Sequence, residues 1–163
     1  LRKKREFMFG AKLAHHGLLS VEKLSLIDVD LSPFPARHLL SLTSSLTNYL
    51  AISNVHGCDL VSLLTGLKCQ KLYIFKQSLG REETQALVQA MESSVEEVGL
   101  GKGVTLDLET LAEYSGQGVC RQVELRGDTG ARYRKDMKKW ARSKNWKVDV
   151  DVAWTNIIFV FNK

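Results

Sequence analysis

The chain has 163 residues, 44% of them hydrophobic and 25% charged, and carries a formal net charge of +5. That is the length of one ordinary domain, enough to bury a core without staples, and the composition is that of a soluble folded protein rather than a disordered one. No stretch has the apolar length of a signal peptide or a membrane span, so none is expected.

The chain opens with Leu1 and the basic run Arg2-Lys3-Lys4-Arg5, which reads as a piece of a longer protein. Over Lys4 to Leu19, Phe7, Leu13 and Leu18 predict a helix. His15 and His16 near its end have no cysteine or carboxylate at ligand spacing and read as surface residues, with no metal implied. Next comes Val21-Glu-Lys-Leu24-Ser-Leu26, an apolar residue, two variable positions, then an apolar-x-apolar pair. The same signature returns, less cleanly, as Thr47-Asn-Tyr-Leu50-Ala-Ile52, and then as Cys69-Gln-Lys-Leu72-Tyr-Ile74, Val95-Glu-Glu-Val98-Gly-Leu100 and Cys120-Arg-Gln-Val123-Glu-Leu125. A sixth copy, Asn145-Trp-Lys-Val148-Asp-Val150, is recognisable mainly by its final pair. The pairs begin at 24, 50, 72, 98, 123 and 148, at intervals of 26, 22, 26, 25 and 25. Strands are therefore expected near 21–27, 47–53, 69–75, 95–101, 120–126 and 145–151.

Between the strands the period becomes helical. Pro33 to Leu46 carries Leu39, Leu42 and Leu46; the next interval carries Leu60, Leu63, Leu64 and Leu67. "REETQALVQAMESS" places Glu82 and Glu83 in a first helical turn, where carboxylates suit the dipole, with Leu87, Ala90 and Met91 inward. Leu108, Leu111 and Ala112 mark the fourth helix, and Tyr133, Met137, Trp140 and Ala141 the fifth. At the C-terminal end, Ile157, Phe159 and Phe161 alternate with Ile158, Val160 and Asn162, a strand expected to pair with 146–152 through a turn near 154–156. As residues 152–163 it reads as a cap on the open end of the core, or alternatively as a sticky edge for a partner.

A strand–helix unit of this length cannot bury its own apolar face, so neighbouring units must stack into a solenoid. Strands pack at about 4.8 Å and helices at about 8–10 Å, so the sheet is forced to the inside of an arc. The expected fold is α/β: a horseshoe with parallel strands on the concave face and helices on the convex face. The signature and its helical intervals resemble the leucine-rich repeat of the ribonuclease-inhibitor-like class, as in the C-terminal region of NOD-like receptors. The resemblance covers about residues 4 to 150. It implies a cytoplasmic ligand-sensing and autoregulatory module in innate immunity, restraining upstream domains of the same chain. The family's usual Asn or Cys after each strand is replaced by Val29, Val55, Gln77, Gly103 and Asp128. A polar ladder that is largely missing, in divergent repeats with irregular turns, is the expectation.

"SVEEVGLGKGV", Ser94 to Val104, does not make a nucleotide site. A P-loop needs glycine where Glu96 stands and Ser or Thr where Gly103 stands, and the third glycine of a dinucleotide fingerprint falls on Val104. No cofactor is expected. No histidine, acid and nucleophile stand at a known catalytic spacing, and the chain is read as a non-enzyme. Cys58, Cys69 and Cys120 are odd in number and form no CxxC pair, and no glycosylation sequon is present, which favours reduced thiols in the cytoplasm.

Side chains between the inward-pointing positions face outward and line the concave surface. The columns there bring Tyr49, Tyr73 and Phe75 together with Lys71 beside them, then Glu97, a gap at Gly99 and Gly101, and Glu124 with Arg126. Aromatic residues on a rigid face are common anchors of protein contacts, which makes this the expected surface for a protein partner or a pathogen-derived ligand. A second surface is electrostatic. Arg132, Arg134, Lys135, Lys138, Lys139 and Arg142 lie on the predicted helix 131–144, opposite its apolar side. This is either a solvated face or a contact for nucleic acid, an acidic protein or anionic lipid. An inhibitor or adaptor that docks an enzyme in the arc is a further alternative.

Overall fold

The computed structural model describes residues 20–150 and 156–160. The predicted helix over 4–19, with His15 and His16, lies outside them, as do residues 154 and 155 of the predicted turn. Strands β1 (Val21–Asp30), β2 (Leu46–His56), β3 (Lys71–Phe75), β4 (Glu97–Leu100) and β5 (Gln122–Arg126) alternate with helices. The helices are α1 (Ala36–Ser44), α2 (Leu60–Thr65), α3 (Arg81–Ser93), α4 (Leu108–Leu111) and α5 (Gly127–Ser143), followed by β6 (Lys147–Val150) and β7 (Asn156–Val160). The fold is α/β, with one seven-stranded, mostly parallel sheet in the order β1-β2-β3-β4-β5-β7-β6.

The apolar-x-apolar pairs set the register. Leu24, Leu50, Leu72, Val98 and Val123 align across the five parallel strands, and Leu26, Ile52, Ile74, Leu100 and Leu125 form the next row. Because successive strand residues point to opposite faces, these rows share one side of the sheet. There they pack with Leu63 and Leu64 of α2 and Leu87 and Met91 of α3 in a continuous core. Asp59 and Asp107 cap α2 and α4 by accepting backbone hydrogens from Val61 and Ser62, and from Glu109 and Thr110. The first helix is shorter than its leucine pattern suggests: Leu46 is fully buried as the first residue of β2. Aromatic side chains extend the core near α5, where Trp140 and Trp146 meet edge to face at 4.7 Å and the Trp140 indole donates to the Ala112 carbonyl.

A left-handed residue repeats as well. Asp28, Asn54, Lys76 and Gly127 are left-handed, with φ of 48°, 49°, 43° and 59°, and each stands four places after the first residue of its pair. The polar ladder is fuller than the replaced positions suggest. Gln77 accepts from the Val55 amide at 2.9 Å and donates to the Val55 carbonyl, while Asp128 accepts from the Gly103 amide at 3.0 Å. A glutamine amide and an aspartate carboxylate supply at these two turns the backbone partners expected of asparagine.

The end of the sheet departs from expectation. The sixth copy does not add a further parallel strand beside β5. Instead β7 runs antiparallel between β5 and β6, with Phe159 paired to both Val123 and Val148. The pattern accounts for this. Ile157 to Val160 is apolar without interruption, which suits a strand flanked on both sides, whereas Lys147 and Asp149 in β6 suit an edge. The short connection between them permits only antiparallel pairing.

Cys58, Cys69 and Cys120 are free thiols. Burial pushes Cys69 up to about 11 and Cys120 up to about 12, and the Cys120 carbonyl accepts from the equally buried Tyr114 hydroxyl. Both thiols stay protonated in the fold at a pH where the unfolded chain has begun to ionise. Stability is therefore fully present below about pH 8.5 and falls as pH rises toward 11–12, by at most about 1.4 kcal/mol per pH unit for each thiol. Urea unfolding at pH 8, 9 and 10 is expected to show this decline, and Cys69→Ala with Cys120→Ala to flatten it.

Candidate functional site

The side of the sheet turned away from the helices carries the residues singled out by their columns. Tyr49, Lys71 and Glu97 are in register across β2, β3 and β4, and Tyr73, Gly99 and Glu124 across β3, β4 and β5. Phe75 and Arg126 stand two places further along β3 and β5. All eight share this open face.

Five of the side chains, those of Tyr49, Tyr73, Phe75, Glu124 and Arg126, form one connected group. The rings of Tyr49 and Tyr73 lie 5.4 Å apart at 33°, and those of Tyr73 and Phe75 stack 6.5 Å apart at 9°. The Arg126 guanidinium covers the Tyr73 ring at 5.2 Å, a cation–π contact, and donates to Glu124 Oε2 at 2.6 Å. Glu124 is only 12% exposed on its side chain, so the arginine is held by a carboxylate that is itself fixed. This hydrogen bond raises the Arg126 pKa above its ordinary value. The Arg126 Nε is buried with no hydrogen-bond partner among the described residues. One strand pair away, Lys71 Nζ meets Glu97 Oε2 at 2.9 Å, and the carboxylate raises the lysine's pKa by hydrogen bond first and charge second. Both of those side chains are more than a third exposed, so solvent screens the pair.

The expected gap at Gly99 and Gly101 is not a gap. A Cβ at Gly99 would collide with the Tyr73 ring, and one at Gly101 with the Phe75 ring. Both rings lean onto the neighbouring strand, where only a residue without a side chain leaves room, and both glycines are buried beneath them. The aromatic residues are accordingly half-buried rather than fully exposed. Tyr73 is the centre: Gly99 beneath, Tyr49 on one side, Phe75 on the other, Arg126 across its face.

Two neighbours complete the surface. Ile27 is 57% exposed and lies in register with Ser53, which is itself in register with Phe75, so this row of the open face ends on an apolar residue at the edge strand. Ile158 of β7 lies opposite Glu124, and its place follows from the unforeseen insertion of that strand. Alternation in the sequence puts Ile158 in a strand but does not reveal which strand it joins.

The basic residues form a separate surface. Arg132, Lys135, Lys139 and Arg142 are exposed on α5 and Arg134 and Lys138 half-buried, while Tyr133, Met137, Trp140 and Ala141 turn inward. Among the described residues no helix is long and apolar enough to cross a membrane, and no group of three or more His, Cys, Asp or Glu could hold a metal ion. No protein-family model, curated protein or solved structure matches the chain.

Proposed function

We propose that the chain is a non-catalytic protein-recognition module, a leucine-rich repeat solenoid whose concave face is the open side of the sheet. In this reading it is the ligand-sensing and autoregulatory region of a cytoplasmic NOD-like receptor, taking a protein partner or a pathogen-derived ligand and bearing on upstream domains of the same chain. The group around Tyr73 carries the proposal. Tyr73 is held by Gly99 below and Arg126 above, with Tyr49 and Phe75 packed against it, so the group is ordered before any partner arrives, which lowers the entropy lost on association. Large aromatic residues and arginine are the types that dominate binding energy. The repeated register, the left-handed residue four places after the first residue of four pairs and the bonds of Gln77 with Val55 and of Asp128 with Gly103 support the solenoid. The three free thiols fit the cytoplasm.

The test is a partner captured by the immobilised chain, identified, purified and titrated. Tyr73→Ala with Phe75→Ala is expected to weaken its binding by about 30-fold or more, the loss of one strong anchor. Unchanged affinity for a folded variant would remove the open face from the interaction and sink the reading.

A further inference from the structure

We propose that the outer face of α5 binds the phosphate backbone of a nucleic-acid duplex, without regard to its sequence. The proposal goes beyond the open-face reading and stands apart from it. Residues 131–144 hold seven Lys or Arg against one acid, Asp136. Arg132, Lys135, Lys138, Lys139 and Arg142 make no ion pair among the described residues, so their charges are uncompensated by the fold. The helix cannot roll to hide them, because Tyr133, Met137, Trp140 and Ala141 lock its other side into the core. From Arg132 to Arg142 the cations extend along about 15 Å of helix. Lys138 and Arg142, one turn apart, flank a recess of about 300 Å³ lined also by Trp146 and Val148. A phosphate seated there would meet two cations at once.

The chemistry of this face selects among anionic partners. A protein interface is centred on apolar or aromatic anchors, but among the described residues the exposed large hydrophobic ones are Ile27 and Leu40, neither of them on α5. A helix that lies in a membrane surface turns its apolar side to the lipid, whereas here that side is buried in the domain. Single strands are held by exposed aromatic platforms, yet Trp140 and Trp146 are only 8% and 9% exposed. Five cations without an ion pair among the described residues, and with no apolar anchor beside them, match a duplex, whose outer surface is a dense line of phosphates.

The full chain is titrated with DNA and RNA duplexes of about 20 base pairs, the corresponding single strands, polyglutamate and phosphatidylserine vesicles. Duplex binding is expected to be tightest and to weaken about 100-fold between 50 and 200 mM salt, as about four phosphate contacts require. Lys138→Glu with Lys139→Glu should weaken it at least tenfold and lower the salt slope by about two. Should that variant unfold, Lys135→Ala with Arg142→Ala carries the same expectation. Unchanged duplex affinity in a folded variant overturns the proposal. Polyglutamate, vesicles or single strands binding as tightly as the duplex at equal salt would overturn it too.

Discussion

Phe159→Ala is expected to destabilise the protein by about 3–5 kcal/mol, the usual cost of emptying a fully buried phenylalanine site. Phe159 has no exposed surface and pairs with Val123 on one side and Val148 on the other. Its loss therefore loosens two strand pairings together. For a domain of this length the change corresponds to a fall in melting temperature of roughly 6–20 °C. Urea unfolding followed by tryptophan fluorescence checks it, since Trp146 immediately precedes β6 and reports on that end of the sheet. A cost under about 1 kcal/mol would mean that β7 is an ornament rather than a member of the sheet.

The second large effect is expected at Gly118. The loop before β5 runs against the end of α3, where the Val119 amide donates to the Glu92 carbonyl and the Cys120 amide to the Met91 carbonyl at 2.8 Å. A Cβ on Gly118 would collide with the Cα of Glu92 and come within 2.9 Å of the Met91 oxygen. Both obstacles are backbone, so no side chain can rotate aside. Gly118→Ala is expected to force the loop outward, strain both hydrogen bonds and cost about 3 kcal/mol. Amide hydrogen exchange should locate the damage, with protection lost first at Val119 and Cys120. A substitution without effect on stability would show that the loop has freedom the packing denies it.

These two positions mark where the sequence was legible and where it was not. The register of β1 to β5 is readable because each apolar-x-apolar pair needs the same depth in the core, and only one alignment satisfies five pairs together. Which residues share the open face follows from that register, since side chains alternate. What the pattern cannot convey is lateral. Nothing in the order of residues says that Tyr73 leans onto Gly99 rather than standing upright, or that Arg126 lies across its ring. Periodicity finds the β7 strand but is silent on its neighbour, because an antiparallel hairpin can join a sheet by either of its strands. Gly118 is invisible for a similar reason: the contact that requires glycine is with backbone twenty-six residues earlier. The turn partners were concealed by chemistry, as Gln77 and Asp128 perform with different side chains the task expected of asparagine.

The sheet order also has a consequence for synthesis. During translation β1 to β5 emerge in the order in which they pair, so each strand can dock as it appears. β6 breaks that sequence: its place in the sheet exists only once β7, made after it, has entered beside β5. A nascent chain that has passed residue 150 but not residue 160 holds an unpaired β6 and an open β5 edge. β7 thus acts as a latch, and any pause in elongation before it prolongs the interval in which another chain could pair with β5.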